Sequence, residues 1–407
     1  MNLSYFISKK IRNASGGFAS AVHKIAVASI GLGLAAAIVS FLIMKGFQES
    51  VQDKIFDFSA HLNINKLTPN NSVEEPAFDF NIDLVAHPGN YPFVDHVQEY
   101  AHKPGLVKTD DEVLGVLLKG VGKSFDQERF KESLIDGKFI TFRDSGNSND
   151  IVISKNISNK LNVKTGDDLI IHFFQDPPRF RRLTISGIYE TNLSDYFDNK
   201  IILCDLKLLQ RLNSWPDSVA GGLQVYLKDS GLDQTRAAYD VLVDSIPFDL
   251  YVEKTSDRYV QVFEWLNLIT RQVNILLIII LCVVCVNMVS VVLILVMERT
   301  SMIGLLKALG SPNQLIRNIF VYQGVNLIWI GLLAGNVIGL GLCLLQDQLK
   351  LVTLDAKNYY MSYVPVGWHW DIILLLNLLV FAVVWLVLLI PVSAVSRINP
   401  INAIRFD

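Results

Sequence analysis

One glycine-rich segment carries some of the residues that bind phosphate. Residues 115–124 read GVLLKGVGKS and end in Gly122-Lys123-Ser124. A phosphate-binding P-loop has the spacing G-x-x-x-x-G-K-[ST], in which backbone amides and the lysine hold the phosphate groups. The first glycine of that pattern would stand at position 117, where the chain has Leu117. We therefore predict no nucleotide site here and interpret the segment as a strand that ends in a glycine turn.

The other residues that could do chemistry lack the spacing that catalysis or metal binding requires. The seven histidines form no H-E-x-x-H pair, and the chain has no G-x-S-x-G nucleophile elbow. Cys282 and Cys285 form a C-x-x-C pattern, but in the middle of an apolar segment where neither a redox motif nor a zinc site is expected. We predict a non-catalytic chain that binds no metal and no cofactor.

The chain contains long apolar segments, and these would have to position the residues of any functional site. Hydrophobic residues make up 51% of the 407 residues and charged residues 18%, whereas a soluble domain has about 25% charged residues. This composition argues against a wholly soluble enzyme, and the net charge of −3 argues against a nucleic-acid-binding protein. Four segments contain no charged residue and no histidine: Ile25–Met44, Val273–Met297, Ile319–Leu345 and Ile372–Val392. Each has the roughly 20 residues that cross a bilayer as a helix, so we predict spans at 25–46, 269–297, 319–345 and 372–392.

The first apolar segment could instead be a secretory signal, because four cations precede it in residues 1–24. A signal has an apolar core of about 7–15 residues and a cleavage site of small residues. Here the core is longer and KGFQ follows it at 45–48. We expect an uncleaved membrane anchor.

Charge near the ends of the spans predicts the orientation. The amphipathic segment 1–24 has no acidic residue, which places the N-terminus in the cytoplasm. The loop 298–318 and the tail 393–407 also carry arginine or lysine and would lie on the same side. The loop 346–371 is rich in tyrosine and tryptophan, as expected at the outer interface. We predict an inner-membrane protein with both termini in the cytoplasm and with residues 47–268 in the periplasm.

The segment 47–268 is predicted to fold as a mixed α/β domain with helical ends. Its strand patterns are His61–Asn65, Val113–Leu118, Ile151–Ser154, Leu169–Phe174, Leu183–Tyr189, Ile201–Cys204 and Leu223–Leu227. Cys204 is the single cysteine of this segment, so an internal disulfide is excluded. Apolar residues recur at helical spacing after the first span and before the second. We expect these two helices to pack as a stalk beneath the domain, and the alternative is two separate helices that pack on it.

The loop after the second span is predicted to form a short helix that stops at Gly310. A second helix then begins, with Ser311 as a possible N-cap, Pro312 in the first turn and Gln314 closing a capping box. A short helix with an apolar face that projects from the membrane suits the groove of a partner protein. The alternative is an interfacial helix that lies on the bilayer.

The same loop resembles the coupling region of FtsX-like, MacB-type ABC permeases. The shared pattern, E-R-x-x-x-I-G-x-L-[KR]-A-L-G, is met from Glu298 to Gly310 and is followed by Gln323-Gly324. Within that superfamily the whole chain is most similar to the lipoprotein-releasing permeases of the LolC/LolE type. Further motifs that carry the resemblance are Ser29–Gly33, Met44–Phe47, Leu118–Val121 as a strand turn, Tyr359-Tyr360, Val364–Val366 and Ser396–Pro400.

The resemblance implies a fold, a function and partners. The fold would be an α-helical membrane protein with four transmembrane helices and a large mixed α/β periplasmic domain between the first and second, the MacB-like, type VII permease architecture. The function would be that of the permease subunit of an ATP-driven complex that extracts lipoproteins from the inner membrane. The partners would be a separate cytoplasmic ABC ATPase, a second permease subunit (the same chain or a paralogue), the lipoprotein, membrane lipid and a periplasmic chaperone.

Two sets of residues follow from this interpretation. The set predicted to contact the ATPase is Glu298, Arg299, Ile303, Gly304, Leu306, Lys307, Leu309 and Gly310. Within it, Ile303, Leu306 and Leu309 are the predicted apolar contact face. The set predicted to contact the acyl chains of the substrate is Phe41, Ile43, Phe47, Phe263, Leu266 and Ile269.

Three alternatives share parts of this architecture. A MacB-like efflux permease for drugs or peptides usually carries a fused ATPase domain, and an FtsX-like signalling subunit tends to have a smaller external domain. A membrane-anchored receptor would leave the short cytoplasmic helix unexplained. In some lipoprotein permeases a periplasmic hairpin hook engages the chaperone, but the corresponding segment here, Gln175–Arg181, is short, which argues against direct chaperone docking by this subunit.

Overall fold

The computed structural model of the chain describes residues 18–68, 74–109, 112–144, 146–229, 231–355 and 359–394. The chain divides into a helical unit and an α/β unit. The helical unit comprises the chain up to Glu49, Trp265–Thr353 and the chain from Tyr363, and the α/β unit comprises Ser50–Glu264 and Leu354–Ser362. Residues 1–17 of the predicted N-terminal segment and the motif Ser396–Pro400 lie outside the described residues.

Four of the described helices are long and apolar enough to cross a membrane. The α-helices are α1 Phe18–Ser59, α2 Asp83–Ala86, α3 Gln127–Phe130, α4 Lys155–Leu161, α5 Leu206–Asn213, α6 Leu232–Ser245, α7 Thr255–Arg258, α8 Val260–Glu298, α9 Thr300–Ala308, α10 Asn313–Leu349 and α11 Trp370–Ala394. The candidate spans are Ala21–Ser59, Val260–Glu298, Asn313–Leu349 and Trp370–Ser393. The four predicted spans fall one in each of α1, α8, α10 and α11, so the four apolar helices of the predicted fold class are confirmed.

The α/β unit is built on one mixed sheet of ten strands. Its strands, with those of a small second sheet, are β1 Leu62–Lys66, β2 Phe78–Asp79, β3 Val94–Lys108, β4 Val113–Val121, β5 Leu134–Gly137, β6 Asp150–Ser154, β7 Asp168–Phe173, β8 Arg179–Tyr189, β9 Ile201–Asp205, β10 Val219–Ala220, β11 Gly222–Leu227 and β12 Leu250–Lys254. The order in the large sheet is β12-β1-β11-β3-β4-β9-β6-β8-β5, with β7 paired to β3 and β8, while β2 and β10 pair separately. Each of the seven predicted strand patterns overlaps one of these strands.

Lys119 and Gly120 lie inside β4, although the motif around them was predicted to be a strand turn. The strand continues to Val121 and pairs with β3 on one side and β9 on the other. A Cβ on Gly120 would lie 3.1 Å from the Cα of Leu206, at the start of α5. The strand turn expected at Leu118–Val121 is therefore wrong, whereas the glycine turn expected at the end of the strand is present, with the Phe125 amide donating to the Gly122 carbonyl oxygen at 3.2 Å. Gly120 instead leaves room for a helix that packs against the sheet.

Glycines set the distance between α1 and its neighbours in the helical unit. A Cβ on Gly31 would lie 3.3 Å from the carbonyl oxygen of Gly331 in α10. A Cβ on Gly33 would lie 2.6 Å from the side chain of Val284 in α8. Small residues allow membrane helices to approach closely, since no apolar driving force beyond packing holds them together in lipid. The two glycines of the motif Ser29–Gly33 thus serve two different helix contacts.

Gly46 forms a second close contact, with the segment that precedes α11. The amide of Gly367 donates a hydrogen bond to the carbonyl oxygen of Leu42 in α1 at 2.9 Å. A Cβ on Gly46 would lie 2.4 Å from the backbone nitrogen of Gly367 and 2.9 Å from the carbonyl carbon of Pro365. Backbone atoms cannot move aside as the end of a side chain can. The contact explains why the motifs Met44–Phe47 and Val364–Val366 contain small or rigid residues.

We expect Gly46→Ala to destabilise the protein by about 1–3 kcal/mol, because the added methyl group overlaps backbone atoms. Gly341→Ala is the matched control, since a Cβ at that helical position meets nothing within 4 Å. Alanine also favours the helix over glycine by up to about 1 kcal/mol, so the control should be neutral or stabilising. Thermal unfolding of both variants in one detergent measures the difference. Equal unfolding temperatures for the two variants would contradict the close contact.

Candidate functional site

The short helix α9 ends in a glycine turn, as predicted. Gly310 has the left-handed φ of +83° and its amide donates to the carbonyl oxygen of Lys307 at 3.0 Å. The amide of Ser311 donates to the carbonyl oxygen of Leu306 at 3.0 Å. This pair of bonds is a Schellman motif, which glycine favours because it has no Cβ. The predicted stop at Gly310 is confirmed.

The start of the next helix differs from the prediction. The N-cap of α10 is Pro312, and no side chain caps the helix. The predicted capping box of Ser311 and Gln314 is therefore wrong. The physical reason is that Ser311 completes the Schellman turn of α9, which places the first helical residue at Asn313.

The faces of α9 correct the predicted contact surface. Ile303 is fully buried and Leu306 half-buried, and both pack into the core of the helical unit. The exposed apolar side chains are Leu305 and Leu309, with exposed fractions of 57% and 74%. Of the three residues predicted as an apolar contact face, Leu309 is exposed, whereas Ile303 belongs to the chain's own core.

The remaining residues of the predicted ATPase set lie around this face. Glu298, the last residue of α8, and Gly310 are exposed, whereas Gly304 is buried. Arg299, which separates α8 from α9, and Lys307 are half-buried. We name the exposed pair Leu305 and Leu309 the coupling face. The coupling face is a small exposed apolar surface with charged residues around it.

The residues predicted to contact acyl chains are mostly engaged within the chain. In the helical unit, Phe47 is buried with its ring 5.3 Å from that of Trp265, and Leu266 is also buried. In the α/β unit, Phe263 is buried with its ring 5.9 Å from that of Phe56. These three residues lie where α1 and α8 pack together within each unit, and their role as acyl-chain contacts stays a prediction. The other members of the set, Phe41, Ile43 and Ile269, are half-buried.

A joint that the sequence did not reveal lies at the end of α1, within the α/β unit. Each of the last three carbonyl oxygens of α1 accepts a hydrogen bond from a side chain of a different element. Asp57 accepts from the Tyr226 hydroxyl at 3.0 Å, Phe58 from the Lys119 amino group, and Ser59 from the Thr255 hydroxyl at 3.3 Å. Residues Asp57–Ser59 with Lys119, Tyr226 and Thr255 are called the α1 joint below.

The α1 joint also ties α1 to the start of α7 and α8. Strands β1 and β12, which follow α1 and precede α7, pair antiparallel, with Leu62 opposite Lys254. The hydroxyl groups of Ser59 and Tyr259 lie 3.0 Å apart, within hydrogen-bond distance. The two chain segments that lead to the first and second candidate spans are therefore bonded to each other as well as to the sheet.

The hairpin of β7 and β8 corresponds to the predicted short hook. Phe174 at the end of its first strand and Phe180 on its second strand are both exposed. The His172 ring lies 6.1 Å from that of Phe180. The hairpin therefore presents aromatic surface to solvent although its tip is short.

Comparison with known proteins gives matches to both units. The family described as the MacB-like periplasmic core domain matches residues 25–240, more than half of the chain. The family described as the FtsX-like permease C-terminal matches residues 274–400. Together the two ranges cover most of the chain.

Individual relatives match over nearly the full length. The lipoprotein-releasing system transmembrane protein LolC of Xylella fastidiosa (strain Temecula1) is 23% identical and covers 99% of this chain, which covers 97% of that protein. The corresponding protein LolE of Haemophilus influenzae is 24% identical, with 98% of each chain covered. Among solved structures, the periplasmic region of MacB from Actinobacillus actinomycetemcomitans is similar with a TM-score of 0.34 and 12% identity, over 50% of this chain and 92% of that one.

Lys119 is a buried lysine within residues 25–240, the segment that matches the MacB-like periplasmic core domain. Its side chain comes from the middle of the sheet and is 2% exposed as a residue. Burial, with a smaller contribution from the Arg258 guanidinium, lowers the pKa of Lys119 to about 7, and the Glu75 carboxylate partly opposes this shift. The charge of Lys119 at neutral pH is thus a cost to folding that the unfolded chain does not bear.

We expect the free energy of unfolding of the α/β unit to rise with pH between about 7 and about 10. In that window the unfolded chain keeps the Lys119 proton, with its ordinary pKa of 10.5, while the folded unit loses it. Each unit of pKa depression corresponds to about 1.4 kcal/mol, so the rise should reach a few kcal/mol. Urea unfolding of the full chain in detergent, followed by pulse proteolysis at several pH values, measures this rise.

Lys119→Met should reduce this slope, whereas Gln210→Met should keep it. Gln210 is equally buried, and its amide nitrogen donates to the carbonyl oxygens of Asp217 and Val219, but it does not titrate. The same slope for wild type and Lys119→Met would contradict the assignment of a depressed pKa to Lys119.

Proposed function

The chain belongs to the FtsX-like permeases of the LolC/LolE type, and from this membership we propose that it is the permease subunit of a complex that extracts lipoproteins from the inner membrane for delivery toward the outer membrane. The observation that carries the proposal is the match to lipoprotein-releasing relatives over 97–98% of their lengths. Four candidate spans and an α/β unit inserted between the first and second are consistent with it.

The proposed task requires a source of work. Each buried CH₂ group favours the bilayer by about 0.8 kcal/mol, so several acyl chains hold a lipoprotein firmly in the membrane. The chain's one P-loop-like segment lacks its first glycine, because position 117 is Leu117, and this residue lies inside β4. We therefore place ATP hydrolysis in a separate cytoplasmic ABC ATPase, and this chain is the non-catalytic membrane component.

The coupling face is the surface that we assign to the ATPase. Leu305 and Leu309 project from a helix whose other side is fixed by Ile303 in the core of the helical unit. A push on this face would therefore reach the packed helices instead of being absorbed by a loop. The Schellman turn at Gly310 sets the direction of the chain into α10.

Transmission to the periplasmic side is assigned to α1 and α8, which act as the stalk. The contact of Phe47 with Trp265 in the helical unit and that of Phe56 with Phe263 in the α/β unit hold the two helices together.

A second permease subunit, the same chain or a paralogue, would complete a lateral cavity for acyl chains. To the predicted lipid set we add exposed apolar residues of α8 such as Leu268 and Ile275.

Docking of a periplasmic chaperone is assigned to the hairpin of β7 and β8. Its exposed residues Phe174 and Phe180 supply an apolar surface for a partner that carries lipid chains.

We place the protein in the bacterial inner membrane with both termini in the cytoplasm.

We expect Leu309→Glu to weaken association with the ATPase about tenfold or more, because the contact would bury an unpaired carboxylate. Leu309 is 74% exposed, so the substitution should leave the fold intact. Phe248→Glu is the matched control, since Phe248 is 97% exposed in the α/β unit. Co-purification of the ATPase with each tagged variant measures the effect. Undiminished recovery with Leu309→Glu would remove the coupling face from the proposal.

The function itself is tested by depletion and complementation in the native cell. Loss of the chain should leave lipoproteins of the outer membrane in the inner membrane, and the wild-type gene should restore their sorting. Leu309→Glu should fail to restore it, while Phe248→Glu should succeed. Correct sorting after depletion would reject lipoprotein release and favour an efflux permease or a signalling subunit.

A further inference from the structure

The α1 joint contains a buried lysine that the mechanism above does not use. We propose that Lys119 is a positioning residue for lipoprotein release, which fixes the last turn of α1 to the central sheet so that movement of this helix is passed to the α/β unit. Without that bond, the movement would be absorbed by bending where α1 ends, at Ser59–His61. This inference rests on the proposed function and assigns one residue a part in it.

The first support is the rigidity of the place from which Lys119 reaches α1. In β4, Lys119 stands opposite His102 of β3 on one side and Leu203 of β9 on the other. The strand is thus held by neighbouring strands on both edges at this residue. A displacement of the last turn of α1 would therefore either break the hydrogen bond from Lys119 or pull on a strand that is held at both edges.

The second support is that Lys119 contacts Phe58 in two ways. Its amino group donates to the Phe58 carbonyl oxygen and lies 4.6 Å from the centroid of the Phe58 ring. A cation at the C-terminal end of a helix is favoured by the helix dipole, and a cation over an aromatic ring is favoured by the ring quadrupole. The Phe58 ring is itself stacked on Phe197 at 4.2 Å. Backbone and side chain of Phe58 are therefore both held by Lys119, while the Gln224 amide is a second and more distant donor to the same carbonyl oxygen at 3.5 Å.

The third support is the sharp change of direction after the helix. Ala60 has a left-handed φ of +55°, a conformation that is unfavourable for an L-residue with a Cβ. Its amide donates to the carbonyl oxygen of Phe56 at 2.7 Å. Such a turn is a natural place for a hinge, and Thr255 holds both sides of it, because its hydroxyl donates to the Ser59 carbonyl oxygen and its amide donates to the His61 carbonyl oxygen at 3.0 Å.

The neighbouring bonds make the joint a network instead of a single contact. The Tyr226 hydroxyl that donates to Asp57 accepts from the Gln98 amide at 3.2 Å, and the Gln98 amide also donates to Gln224 at 2.9 Å. Gln98, Gln224 and Tyr226 are all buried. A buried network of this kind is stiff when every member is bonded and weak when one is removed.

The test measures coupling in the whole complex and not merely its stability. The full chain, with the ATPase and permease partner that co-purify with it, is reconstituted into proteoliposomes that contain a palmitate-labelled, triacylated lipoprotein. ATP hydrolysis and release of the labelled lipoprotein are counted in the same vesicles. Lys119→Met keeps the length and the apolar stem of the side chain, and replacement of a buried charge by an apolar residue of similar size is commonly tolerated.

We expect Lys119→Met to hydrolyse ATP normally but to use about tenfold more ATP for each lipoprotein released, the effect of losing one strong hydrogen bond. Thr255→Val, which removes the bond to Ser59, should raise the same ratio and provides the test if Lys119→Met does not assemble. Gln210→Met, also 2% exposed but bonded away from α1, should leave the ratio unchanged.

The outcomes separate this inference from the proposed function. Release by the wild type, with an unchanged ATP cost in both Lys119→Met and Thr255→Val, would overturn the role of the joint and leave the proposed function intact. An equal increase in Gln210→Met would reduce the effect to general destabilisation and would also overturn it. Absence of release by the wild type would reject the proposed function itself.

Discussion

The last carbonyl oxygens of an α-helix have no partner within the helix, and a helix that ends inside a folded unit must find partners for them elsewhere. In this protein the carbonyl oxygens of Asp57, Phe58 and Ser59 are satisfied by side chains of three separate elements. This constraint decides how the first long helix meets the sheet. It also places a lysine in the core of the α/β unit, where its charge costs stability at neutral pH. The α1 joint therefore has a defined geometry, but the buried charge of Lys119 makes the folded α/β unit less stable at neutral pH.

The helical unit meets a different constraint, that of close approach. Gly31 and Gly33 bring α1 against two neighbouring helices, and Gly46 brings it against the segment before α11. The first helix is therefore packed along its length in that unit and bonded at its end in the other. We propose that a helix held in this way transmits force, which a loosely packed helix would absorb. The proposed movement from ATPase to periplasmic domain requires this property.

Features that depend on local sequence were predictable. Membrane spans require long segments without charge, so the four helices follow from segment lengths alone. The stop at Gly310 follows from the freedom of glycine to adopt a left-handed φ. The coupling face was only half predictable, because Ile303 and Leu309 fit one apolar pattern although Ile303 faces the chain's own core. Spacing along a helix cannot tell a stripe that packs internally from one that awaits a partner.

The α1 joint was not predictable, because its bonds join residues far apart in the sequence. Lys119 and Phe58 are separated by 61 residues, and no local pattern relates them. One signal was present: a lysine at an inward position of an otherwise apolar strand, directly before a glycine that admits a helix. The same signal was misinterpreted as a turn. The burial of Phe47 and Leu266 was not predictable for a related reason, since burial between two helices depends on which helix is the neighbour.

Cysteine labelling of the two units tests most directly the claim on which the whole account depends, namely that the coupling face and the α/β unit lie on opposite sides of the inner membrane. Phe248→Cys and Leu309→Cys are made in a background without the four native cysteines and treated in sealed cells with a membrane-impermeant maleimide. The account predicts that Phe248→Cys reacts from the periplasmic side and that Leu309→Cys reacts only after the inner membrane is opened. Reaction of both from the same side would contradict it.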